Sequence, residues 1–241
     1  FAVGLFTEHA RLRVRRVRIE QEFPPTKLSV TDAAEVLFRD GSTDEARLQF
    51  QKIAQGHEGR YEGLEALVGL ARCYEADRRY REAADALRRV EELAPQVRND
   101  PRLTPLLTRA RLHRFLCSAS LNDFAVAVQS LAQIAGSGGE VDDAWVWHVP
   151  PTIGQMLNNR AYDEALAVLR AGVFAPKQQT LYTALRAAEA TSAQAYLEPR
   201  IRQLGDGFCS TGHFEKVREV YDAYPTSGLA GIFARAAQHA T

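Results

Sequence analysis

The segment Gly63–Pro95 reads GLEALVGLARCYEADRRYREAADALRRVEELAP. Leu67, Leu70, Ala71 and Tyr74 form one apolar set in it, and Tyr80, Ala83, Leu87 and Val90 a second. Steps of three and four residues place each set on one helical face, so the segment predicts two amphipathic helices. Asp77-Arg78-Arg79 supplies the turn between them, and Pro95, which has no amide proton to donate, stops the second. Small Ala71 and Ala83 let the two helices approach closely while the larger side chains fill the space between them. Anchored on Ala83, the second half of this pattern returns elsewhere. It is carried by Leu37, Gly41, Ala46, Phe50 and Ile53 upstream, and by Phe124, Ala127, Leu131 and Ile134 downstream. Tyr162, Ala165 and Leu169 form a further copy, and Phe208, Gly212, Phe214, Val217, Tyr221 and Tyr224 the last. The anchors are Ala46, Ala83, Ala127, Ala165 and Val217, at spacings of 37, 44, 38 and 52 residues. The widest interval has room for an extra helix around Thr180–Tyr196.

Gly63–Pro95 resembles the tetratricopeptide repeat. Leu67 stands at the tryptophan of that pattern, Leu70-Ala71 at its Leu-Gly pair and Tyr74 at its tyrosine. Ala83 and Leu87 match its A-x3-F step and Pro95 its closing proline. The resemblance implies an all-α chain: a right-handed α-solenoid of TPR-like helical hairpins. Its concave face, carried by the first helix of each hairpin, would hold a protein or peptide partner. Solvent-side positions on the first helix of the clear repeat are Glu65, Val68, Arg72, Glu75 and Ala76. Glu35 and Arg39 share a face in the preceding repeat, as Arg109 and His113 do in the following one. Family members that grip a C-terminal carboxylate use lysine and asparagine where Val68 and Arg72 stand here, so that clamp is not expected. The Phe208–Tyr221 hairpin also looks like a pentatricopeptide unit, a family that reads single-stranded RNA one base per repeat. That function needs several uniform units, and this chain shows one.

The ends read differently. Phe1–Thr7 and Arg11–Ile19 look like two β-segments joined by a turn, a short hairpin that needs a larger sheet for stability. Val3-Gly4-Leu5-Phe6-Thr7 with Val14–Ile19 resembles the closing strands of a concanavalin-like β-sandwich. A sandwich followed by helical repeats is similar to the outer region of some membrane-anchored bacterial serine/threonine kinases, and Gly59–Cys73 resembles repeats found there. That resemblance implies a distal sensor or assembly region, with catalysis in another domain. Five arginines between Arg11 and Arg18 suit the solvated face of an edge strand. Phe23-Pro24-Pro25 is a stiff spacer, and Ser29, Thr31 and Asp32 offer caps for the first helix. The expected division is residues 1–22 (the β-hairpin), 23–135 (TPR-like repeats), 136–151 (a Gly/Pro seam) and 152–241 (further helical hairpins). The seam holds Trp145 and Trp147, whose large rings with a polar handle suit an interface.

The chemistry excluded is as informative. The chain has 241 residues, 46% hydrophobic and 25% charged, too apolar for intrinsic disorder. No stretch approaches the roughly 18 apolar residues of a membrane-spanning helix. Thirty basic against thirty acidic side chains leave no net charge, so nucleic acid is not an expected partner. Cys73, Cys117 and Cys209 form no C-x-x-C pair and sit in apolar helical stretches, as small hydrophobes do. The six histidines make no H-x-x-x-H or H-E-x-x-H pair, and no phosphate-loop, dinucleotide or nucleophile-elbow motif is present. No catalytic residue, metal or cofactor is therefore expected. The candidate partner-binding residues are Glu35, Arg39, Glu65, Arg72, Arg109, His113, Trp145 and Trp147.

Overall fold

The structure, a computed structural model, describes residues 29–137, 148–170 and 192–223. Ten α-helices and no strand occur among them. They are α1 (Asp32–Arg39), α2 (Thr43–Gly56), α3 (Tyr61–Ala76), α4 (Tyr80–Leu93), α5 (Leu103–Ser120), α6 (Phe124–Gly136), α7 (Val149–Asn158), α8 (Tyr162–Arg170), α9 (Ser192–Ser210) and α10 (Phe214–Ala223). Pro95 falls in a 3-10 turn, Ala94–Val97, directly after α4. The helix α7 opens on Val149-Pro150-Pro151, where the missing proline N–H groups would have had no intrahelical acceptor. The β-hairpin expected over residues 1–22 and the spacer after it lie outside the described residues, as does most of the seam.

One turn, repeated five times, defines the architecture. The residues between α1 and α2, α3 and α4, α5 and α6, α7 and α8, and α9 and α10 include Gly41, Arg78, Asn122, Arg160 and Gly212. All have positive φ, at 84°, 59°, 59°, 59° and 78°. In every case the next residue donates its N–H to a carbonyl five residues back: Ser42 to Leu37, Arg79 to Tyr74, Asp123 to Ser118, Ala161 to Met156 and His213 to Phe208. This is the Schellman termination, which satisfies the last carbonyls of the first helix and folds the chain back into the second. The five turns stand 37, 44, 38 and 52 residues apart, the intervals of the anchor residues. Ala46, Ala83, Ala127, Ala165 and Val217 each lie five residues after a turn and are at most 1% exposed. The anchors mark where the second helix of each hairpin meets its neighbours, which tolerates only small or compact side chains.

Helices adjacent in sequence pack together, except that α6 lies mainly against α8 rather than α7. The first helices also stack in a row: α1 on α3, α3 on α5, α5 on α7, α7 on α9. Two glycines allow close approaches between helices of successive hairpins. A Cβ on Gly69 of α3 would lie 2.4 Å from the Phe50 ring of α2. A Cβ on Gly207 of α9 would lie 2.4 Å from the Tyr162 ring of α8. In both places an aromatic ring from the second helix of one hairpin seats on backbone of the first helix of the following hairpin. The buried apolar residues fall into two clusters that meet at α5. Leu103, Leu106, Ala110 and Cys117 join the cluster of α1–α4, while Leu112, Phe115 and Ala119 join that of α6–α10. A helix buried on opposite sides carries apolar residues on both, and α5 does, with Arg109, Arg111, His113 and Arg114 between them.

Candidate partner-binding face

The row of first helices carries the charged residues singled out above. Glu35, Arg39, Glu65, Arg72, Arg109 and His113 lie on α1, α3 and α5, the first helices of successive hairpins. What periodicity does not specify is their partners, and the structure supplies these across hairpins. Arg72 Nη1 on α3 donates to both carboxylate oxygens of Glu35 on α1, at 2.7 and 2.9 Å. Its guanidinium also lies 4.6 Å from the centre of the Phe38 ring. Both side chains of the ion pair are about a quarter exposed, at 24% and 25%. Glu65 Oε2 accepts from the hydroxyls of Ser29, at 2.9 Å, and Thr31, at 2.8 Å. Those hydroxyls were expected to cap α1. They bind the neighbouring hairpin instead, and Asp32 accepts the Ser29 N–H at 2.8 Å.

Further along, Glu75 on α3 meets His113 Nδ1 on α5 at 2.8 Å and accepts from the Cys117 thiol at 3.1 Å. His113 and Cys117 are four residues apart on one helix face, so a single carboxylate reaches both. Burial, and then the Glu75 charge, push the Cys117 thiol far up; burial pushes the Cys73 thiol up to about 11. Neither thiol has thiolate character at neutral pH, and both are fully buried. Glu75 thus knits two hairpins together, a role the sequence did not reveal. Its only trace there is the i, i+4 pair of His113 and Cys117.

One residue of the candidate set contrasts with these. Arg109 on α5 is half-buried. Its Nε is buried without a hydrogen-bond partner. Arg39 is exposed at the end of α1, its Nε reaching only the Glu35 carbonyl at 3.4 Å. Val68, read as solvent-side, is 0% exposed. Its face of α3 is covered by the stacked hairpins, which a single-repeat reading does not count. Trp145 and Trp147 lie outside the described residues. Among the described residues, no group of three or more His, Cys, Asp or Glu side chains is arranged to hold a metal ion. No helix there is long and apolar enough to cross a membrane.

The repeated turn, the buried anchors and the stacked first helices define a tetratricopeptide-like helical-hairpin array. No family model matches the chain, and no curated protein does. Among solved structures it is similar to a Podosopora anserina putative kinesin light chain with nearly identical TPR-like repeats. Identity there is 15%, over 86% of this chain and 94% of that one, with a TM-score of 0.47. A point variant of that protein gives 14% identity over 87% and 95%, with a TM-score of 0.48. The description of this chain as a hairpin array rests on its own turns and packing rather than on these neighbours. The resemblance to the outer region of bacterial kinases gains no support from them.

Proposed function

We propose that this chain is a non-catalytic scaffold that binds a protein or peptide partner along the row of its first helices, as part of a larger polypeptide or complex. The observation that carries the reading is the state of the charges on that row. Glu35, Glu65, Arg72, Glu75 and His113 are engaged between hairpins and hold the face in shape. Arg109 is left with a buried donor unmet. An unmet buried donor costs stability, and local features that cost stability gather where a protein meets its ligand. Arg109 is half-buried, so a partner acceptor, carboxylate or carbonyl, would engage its guanidinium through the Nη groups rather than through the buried Nε. Trp145 and Trp147 are the candidate apolar anchors, since a few aromatic and arginine contacts carry most of the affinity of an interface.

The test begins with a partner captured on the intact chain and continues with affinities for Arg109→Gln, Arg39→Gln and Trp145→Ala. Arg109→Gln keeps the stem and removes the charge, so its melting temperature should equal or exceed that of the parent. Its binding should weaken by about tenfold or more, the size expected when an anchor is lost. Unchanged affinity in all three variants would place recognition elsewhere and overturn the reading.

A further inference from the structure

The first hairpin differs from the others in what it leaves uncovered. On α3, Leu67, Leu70 and Cys73 are spaced by three and are 5%, 8% and 0% exposed. They face the preceding second helix: Leu67 and Leu70 line a groove with Ala54 of α2, and neighbouring Gly69 touches Phe50 of α2. The same register on α9 holds Ile201, Leu204 and Gly207, with Ile201 and Leu204 at most 1% exposed and Gly207 against Tyr162 of α8. Counted back from the turn at Gly41, the equivalent residues of the first hairpin are Val30, Ala33 and Val36. Here Val30 is 46% exposed, Val36 48%, and Ala33 is exposed as well. An array in which each repeat is stabilised by its neighbours needs its terminal face capped or polar. This one is apolar. Its counterparts on α3 and α9 are buried by the hairpin that comes before, while on α5 and α7 the register is mixed, with Arg111, Arg114 and Cys117 on the one and Val149, Thr152 and Gln155 on the other.

We infer that residues 1–28 of this same chain dock on the Val30–Ala33–Val36 stripe and close the open end of the array. Three observations select this occupant over a separate molecule. The segment joins the described chain at Ser29, one residue from Val30, so its local concentration at the stripe is of order millimolar. It carries apolar side chains in number, among them Leu12, Val14, Val17, Ile19, Phe23 and Leu28. Its charge is complementary: six basic and three acidic residues over 1–28, against five acidic and three basic over 29–56. Asp40 and Glu45 of the first hairpin are exposed and available to the arginines of Arg11–Arg18.

The experiment uses the whole chain and trypsin, because Arg11, Arg13, Arg15, Arg16 and Arg18 are built-in cleavage sites. Docking protects them, and cleavage then follows the fraction of time the segment is released. The variant Val30→Glu with Val36→Glu puts two charges on the stripe without touching the buried core. Its cleavage between residues 11 and 18 should run about tenfold or more faster than in the parent. Circular dichroism and cleavage within the array should be unchanged, and Ala33→Glu should act the same way. Equal cleavage rates in parent and variant overturn the proposal. So does a parent that sediments as a dimer which the double variant dissolves, because a second copy would then be covering the stripe.

Discussion

Arg72 sits between the carboxylate of Glu35 and the ring of Phe38, and its charge is satisfied inside the protein. That position alters what a substitution there reports. A fully solvated arginine contributes little to folding, but a quarter-exposed one that links two helices and stacks on a ring contributes more. Arg72→Glu would bring two carboxylates together where one salt bridge stood. The expected loss is about 1–2 kcal/mol, between the values for exposed and buried pairs. Thermal melting of Arg72→Glu measures it, and the charge-swapped pair Glu35→Arg with Arg72→Glu should recover much of the loss if the contact itself is the cause. A single variant that melts with the parent would mean that the pair contributes nothing. Arg109 presents the opposite case. Its Nε has no hydrogen-bond partner, so it is the residue at which binding and stability should separate.

At the scale of helices, the array depends on a few positions where two backbones come close. Ala83 is 0% exposed, and a leucine there must push α4 away from its neighbours, at a cost of about 1–3 kcal/mol. Gly69 makes a sharper test, because Ala is the smallest change possible and ordinarily favours a helix by roughly 1 kcal/mol. Here the added methyl would lie 2.4 Å from the ring of Phe50, itself 1% exposed and unable to swing into water. Gly69→Ala should therefore lower the melting temperature, against its helix propensity. Combined with Phe50→Leu, which removes the ring, the glycine substitution should cost less than it does alone. Additive losses in that double variant would show that ring and backbone are not in conflict.

Across the whole molecule, stability is expected to pass from neighbour to neighbour, since each hairpin packs on the next and few contacts span more than that. The core divides at α5, so the array is expected to unfold in two parts that share one helix. Phe115 is 1% exposed and belongs to the cluster of α6–α10. Phe115→Ala should cost about 3–5 kcal/mol, the range for a large core side chain removed. In hydrogen exchange it should release amides of α6–α10 more than those of α2–α4. Equal loss of protection throughout would show one cooperative unit and no division at α5.

The register of the hairpins was legible in the residues alone because it rests on short-range rules. Ala46, Ala83, Ala127, Ala165 and Val217 could be placed from apolar steps of three and four, and all proved buried at one position of one turn. Gly41 and Gly212 are the residues expected at positive φ, and Asn122 is tolerated there. Arg78 and Arg160 take the same conformation with no local preference for it, held there by the packing of the helices on either side. The charges of the candidate face were equally visible, but not their pairing. Glu35 finds Arg72 and Glu75 finds His113 across 37 and 38 residues, distances set by how hairpins stack rather than by any local pattern. Stacking also buried Val68, gave Ser29 and Thr31 to Glu65, and left Arg109 unmatched. Periodicity along one helix says which residues share a face. Which of them keep a free charge is decided only when the next hairpin is laid against that face.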